Sequence, residues 1–139
     1  MLSLVELVPS LLTSRESVDL ARSFVIDDLG KHPVESQDRA GFIVNALLIP
    51  FVLSAIRMYE SGFASAEDID EAWCAVPHTR SPLALADLIG LDTTKAVAES
   101  LYEEFKEPLY APPPLLIRMV SAGLLGRKAG RGFYTYGEK

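Results

Sequence analysis

The apolar residues of the chain are unevenly spread, and their spacing sets out its elements. The longest apolar run is Phe42 to Ile56 (FIVNALLIPFVLSAI), in which only Asn45 and Ser54 are polar. A membrane-spanning helix needs about 18 or more apolar residues. This run is shorter and contains Pro50, so it predicts a buried helix bent at the proline and continuing through Arg57, Met58 and Tyr59 to a stop at Gly62. Upstream, Thr13-Ser14-Arg15-Glu16 has a capping-box pattern. It opens an amphipathic stretch with Ala21, Phe24, Val25 and Ile26 on neighbouring positions of a helical wheel. Gly30 can close that helix. Residues 1–12 are apolar apart from Glu6 and Ser residues, and they alternate too poorly to separate strand from helix. Pro33 to Ser36 predicts a short extended piece.

Downstream the punctuation is regular. Ser65-Ala66-Glu67-Asp68 starts a helix with acids in its first turn, where the helix dipole favours them. Ser81-Pro82 is an N-cap followed by proline at the first helical position, and that helix ends at Gly90. Asp92 is expected to cap a further helix running from Thr93 to about Phe105. Pro112-Pro113-Pro114 is a stiff spacer before a short helix, Leu115 to Ala122. Phe133 to Tyr136 is a short alternating stretch. The elements predict a mainly α chain with extended segments near its start.

Composition narrows the classes. About half the residues are apolar, enough for a real core. The net charge is −6, and it is unevenly distributed. Residues 60–104 carry ten acids against Arg80 and Lys95, whereas residues 105–139 carry six bases against Glu107 and Glu138. An acidic chain with one small basic segment argues against nucleic-acid binding. The tail bases Arg127, Lys128 and Arg131 read as a solvated face or a local anion contact. One cysteine, Cys74, excludes an internal disulfide and fits a reducing, cytoplasmic setting. No metal-type Cys/His cluster, Ser/His/Asp arrangement or phosphate loop occurs. A dinucleotide-binding turn needs glycines spaced G-x-G-x-x-G between a strand and a helix. Gly126, Gly130 and Gly132 have another spacing. The two histidines, His32 and His78, lack sequence partners. Asn45 stands out because an amide buried without partners costs about 1–3 kcal/mol, so it should face a partner, a cleft or an interface.

Four blocks carry a resemblance. Gly41-Phe42-Ile43-Val44-Asn45-Ala46-Leu47-Leu48, Ser65 to Ala72, Pro82 to Asp92 and Gly126-Arg127-Lys128-Ala129-Gly130-Arg131-Gly132-Phe133-Tyr134 resemble, in order and spacing, the C-terminal domain of 3-hydroxyacyl-CoA dehydrogenases of the 3-hydroxybutyryl-CoA type. Leu4-Val5-Glu6-Leu7-Val8 resembles the late part of the family's NAD-binding domain. Ala46 stands where the family usually has arginine.

The resemblance implies a helical domain over 38–139, serving substrate binding and dimerisation. Residues 1–37 would be a strand-helix-strand remnant of a Rossmann-like domain. In the family a histidine takes the hydroxyl proton of a 3-hydroxyacyl-CoA while NAD takes the hydride, as a step of fatty-acid metabolism. Glu6 matches the glutamate that supports that histidine, and Asn45 matches an asparagine that holds substrate. The histidine would lie upstream of Met1. The 139 residues by themselves are therefore expected to hold no cofactor and to be inactive alone. Three roles stay open: a substrate-binding and dimerisation part of the enzyme, a non-catalytic helical dimerisation module, or a complementing subunit of a full-length relative. The implied partners are acyl-CoA and a second copy or a full-length relative, with no nucleic acid and no membrane.

Residues 1–36 would have unpaired strand edges if they stood alone, so they are expected to be mobile, repacked or paired with another chain. Amide exchange of the isolated chain checks this: faster exchange in 1–36 than in 38–122 is the expected outcome.

Overall fold

A computed structural model describes residues 3–75 and 81–137. They divide into two compact units, residues 1–46 and 47–139. The turn at 40–43 and the first residues of the following helix group with the first unit.

In the first unit, strand β1 (Leu4–Leu7) pairs in parallel with β2 (His32–Glu35), with Leu4 opposite His32 and Glu6 opposite Val34. Parallel strands need a crossover, and helix α1 (Arg15–Ser23) supplies it. Its N-cap is Ser14, whose hydroxyl accepts the Ser17 N–H. The expected capping box is thus moved by one residue, and Ser17 rather than Glu16 meets the cap. The helix runs on as a π turn, Phe24–Asp28, before Gly30 at φ +60° reverses the chain. Val18 and Val25 are buried, while Leu20, Phe24, Ile26 and Leu29 remain exposed. Arg15 and Arg22 both reach Glu35 at the end of β2.

Helix α2 (Val44–Glu60) is the long apolar run, and Pro50 lies inside it. Among the described residues no helix is long and apolar enough to cross a membrane. In the second unit, α2 contributes Ile49, Val52, Leu53, Ala55 and Ile56 to the core. They are joined there by Leu83, Leu91, Leu101 and Leu116, each fully buried. These last residues come from α4 (Pro82–Ile89), α5 (Leu91–Phe105) and α6 (Pro114–Ser121). Helix α3 (Ala66–Cys74) is capped by Ser65 as the sequence predicts.

Two other expected caps differ. Ser81 makes no side-chain cap bond to α4. The carboxylate of Asp70 on α3 does that work, accepting the Leu83 N–H at 2.8 Å and the Ala84 N–H at 2.9 Å. Asp92 lies inside the first turn of α5, whose N-cap is Gly90. It accepts a hydrogen bond from Lys128 at 2.6 Å, and this contact holds its carboxyl below the usual carboxylate range.

The C-terminal motif closes on a buried carboxylate. Asp87, 1% exposed, accepts the Phe133 N–H at 3.1 Å, the Tyr134 N–H at 3.0 Å and the Tyr136 hydroxyl at 2.9 Å. The Tyr134 hydroxyl donates to Asp70 at 2.8 Å. A buried ion costs several kcal/mol unless hydrogen bonds replace its water. Bonds to a charged group each return about 1.5–3 kcal/mol. Gly132 is required by proximity: a Cβ there would lie inside the Asp87 carboxylate. Arg127 stacks on the Tyr136 ring at 5.2 Å. With Lys128 on Asp92, two of the three tail bases are engaged with the fold.

Burial, and then the bonds to Asp70 and Asp87, push the Tyr134 and Tyr136 hydroxyls above their ordinary range. A pKa raised on folding gives stability that is complete below the unfolded value of about 10 and is lost as pH climbs beyond it. Thermal midpoints should therefore fall steeply above pH about 10. Tyr134→Phe should cost about 1–2 kcal/mol near neutral pH and reduce the alkaline fall. An unchanged alkaline slope in that variant would contradict the assignment.

Candidate functional site

The two residues singled out by the sequence lie at one corner of the first unit. Glu6 is half-buried in the middle of β1. Its Oε1 accepts the Ile43 N–H at 2.7 Å and the Val44 N–H at 3.3 Å. Asn45 is the next residue, in the first turn of α2 and half-buried. Its side chain makes no hydrogen bond among the described residues, so its amide is available to a ligand. The Oε2 of Glu6 likewise accepts no bond among them.

The local backbone explains why two N–H groups meet one oxygen. The chain enters α2 through Gly41 at φ +77° and Phe42 at φ +47°. After this turn the N–H groups of Ile43 and Val44, at the start of the helix, both meet Glu6. Glycine accepts this conformation freely, but a residue with a Cβ loses about 1–2 kcal/mol there. Phe42 keeps it at 43% exposure. Ile43 and Val44 carry N–H groups that have no partner within the helix, and Glu6 satisfies both. The start of the helix also carries partial positive charge, which favours a carboxylate there.

The β1–α1–β2 crossover does not fit a dinucleotide. Its β1–α1 loop, Val8 to Ser14, has no glycine. The Ser14 hydroxyl already caps the helix, and Glu16 adds negative charge to the first turn. A pyrophosphate has no backbone cradle at this helix end. Among the described residues no group of His, Cys, Asp and Glu could hold a metal ion. His32 is exposed on β2, opposite Leu4. His78, the other histidine considered, lies outside the described residues.

The second unit has an apolar hollow of about 320 Å³ between α2 and α3. Phe51, Met58, Phe63, Ile69 and Trp73 line it, and Phe51 and Trp73 pack at 4.9 Å between ring centroids. Phe63 is 76% exposed. Sequence reasoning did not single out this hollow, because it is made by residues from separate elements. It also missed Asp70 and Asp87, whose partners lie far along the chain. The one available signal was an acid inside an otherwise apolar helix, as in Pro82-Leu-Ala-Leu-Ala-Asp87-Leu-Ile.

Residues 41–136 match the family described as 3-hydroxyacyl-CoA dehydrogenase, C-terminal domain. A 3-hydroxybutyryl-CoA dehydrogenase of Mycobacterium tuberculosis is 57% identical over 136 residues, covering 97% of this chain and 48% of the relative. The crystal structure of M. tuberculosis FadB2 superposes with a TM-score of 0.96 at 56% identity, covering 98% of this chain and 48% of that one. The (S)-3-hydroxybutyryl-CoA dehydrogenase PaaH1 of Ralstonia eutropha gives 0.92 at 44% identity, covering 99% and 48%. The chain thus spans about half the length of these relatives.

Glu6→Ala leaves the Ile43 and Val44 N–H groups without their acceptor. It should lower stability by about 1–2 kcal/mol, the usual loss on removing a helix cap. Urea denaturation of the parent and the variant checks this, and equal midpoints would show the cap to be idle.

Proposed function

The chain belongs to the 3-hydroxyacyl-CoA dehydrogenase family, and on that premise we propose that these residues are the C-terminal, substrate-binding part of an NAD-dependent 3-hydroxybutyryl-CoA dehydrogenase of fatty-acid metabolism. The observation that supports it most is the placing of Glu6 against the first turn of α2, with Asn45 next along the same turn. In this reading a 3-hydroxyacyl-CoA gives up the proton of its hydroxyl to a histidine and the hydride of its C–H bond to NAD, leaving a 3-ketoacyl-CoA. NAD, when bound, would supply the hydride acceptor. Glu6 orients the imidazole and stabilises its charged form, as a general base requires. Asn45 presents an amide N–H to the reacting oxygen and carries no competing bond of its own.

A second reading, a helical module that pairs with a second copy or with a full-length relative, is favoured by one observation. The hollow lined by Phe51, Phe63 and Trp73 leaves aromatic surface in water, and such patches mark association sites. The two readings are compatible, because a substrate-binding part can also be the part that dimerises. A cytoplasmic location accords with either.

Complementation tests the proposal. The 139 residues alone should form no NADH from 3-hydroxybutyryl-CoA and NAD. Joined to the NAD-binding half of a relative, they should form it. Asn45→Ala should then lower kcat by about 10²-fold, the usual loss on removing one donor from a developing oxyanion. NADH production by the chain alone, or an Asn45→Ala fusion as fast as its parent, would refute the assignment. Light scattering addresses the second reading, which a strict monomer would exclude.

A further inference from the structure

We propose that the Gly41–Phe42 turn is a positioning device: it binds one carboxylate oxygen of Glu6 through two successive backbone N–H groups and leaves the other oxygen open to an imidazole. This rests on the dehydrogenase reading given above and assigns a role to backbone that the reading does not use. Three observations carry it. Both N–H groups, of Ile43 and Val44, go to the same oxygen, Oε1. The second oxygen, Oε2, takes no bond among the described residues. The turn that aims the donors holds Phe42, a non-glycine residue, at φ +47°. Such backbone strain persists only where the surroundings over-determine it, and it concentrates at functional sites.

The geometry has a chemical consequence. A carboxylate on a single bond can rotate about its side-chain torsions and offer either oxygen. Two donors on Oε1 remove that freedom, so that Oε2 keeps one direction. The same turn starts the helix that bears Asn45, one residue beyond Val44. The group that orients the base and the group that holds the reacting oxygen are therefore set by one stretch of backbone, Gly41 to Asn45. An error in this turn would displace both together, and misplacements on the ångström scale lower rates steeply.

The test uses two measurements. On the 139-residue chain, amide exchange should show Ile43 and Val44 protected. Glu6→Gln keeps an oxygen for these donors and should leave them protected. Glu6→Asp, one methylene shorter, and Gly41→Val, which disfavours the left-handed turn, should each lose about 10-fold or more of that protection while amides of α5 keep theirs. On the fusion with a relative's NAD-binding half, Glu6→Gln should lower kcat by about 10²-fold or more with KM little changed, and move the acidic limb of the pH profile. Gly41→Val should lower kcat in the same way.

Exposed Ile43 and Val44 amides in the parent would overturn the proposal. So would a Gly41→Val fusion that loses their protection yet keeps its kcat and pH profile. If Gly41→Val does not fold, Glu6→Asp provides the same comparison. A parent fusion that is inactive would remove the dehydrogenase reading and the catalytic role of the turn with it. Exchange on the isolated chain would still decide whether the two-donor contact exists.

Discussion

Backbone N–H groups that no helix or strand can satisfy must find acceptors, and among the described residues carboxylates supply them at four places. Glu6 takes those of Ile43 and Val44. Asp70 takes those of Leu83 and Ala84. Asp87 takes those of Phe133 and Tyr134. Glu60 takes that of Leu115 at the start of α6, together with Arg118. An unpaired buried donor costs free energy comparable to a lost hydrogen bond. An ionised acceptor repays more of it than a neutral one. Each contact joins residues between 13 and 58 positions apart, so each fixes a loop or a helix start to a distant element.

Apolar burial supplies most of the cohesion, and these contacts supply its direction. Leu53, Ile56, Leu83, Leu101 and Leu116 are fully buried in the second unit, but apolar contact alone tolerates sliding. The Asp87 carboxylate does not: two amides and a tyrosyl hydroxyl converge on it, and Gly132 has no space for a side chain. The glycine-rich tail, whose spacing is useless for a pyrophosphate, is thus explained by packing around an anion belonging to the protein. At Glu6 the same chemistry meets the candidate site. The helix start fixes one oxygen of this carboxylate through two amides.

Much of the fold was legible in the chain. Ser65 caps α3, Gly30 and Gly62 terminate their segments, Pro82 opens α4, and Val44 to Ile56 forms most of a long helix, with Phe42 and Ile43 in the turn before it. Those features depend on neighbours a few residues away. Three expected caps also moved. Thr13-Ser14 shifted by one residue, Ser81 gave way to Asp70, and Asp92 turned out to lie inside α5 and to bind Lys128. Several residues near each helix start could serve as the acceptor, and only the tertiary structure selects among them. Of the candidate site, Glu6 and Asn45 were singled out by motif, and the fold brings them to neighbouring positions. The Gly41–Phe42 turn between them was visible only as part of a resemblance.

The order and type of the elements, the apolar faces and the family follow from the sequence alone, because period, punctuation and motif are local properties of a chain. What the tertiary structure decided is which acid meets which amide. It also decided that Glu6 has one oxygen engaged and one open, and that aromatic side chains from two helices form a hollow. Those outcomes depend on distances of a few ångströms between residues remote in sequence, and such distances exist only after the chain has packed.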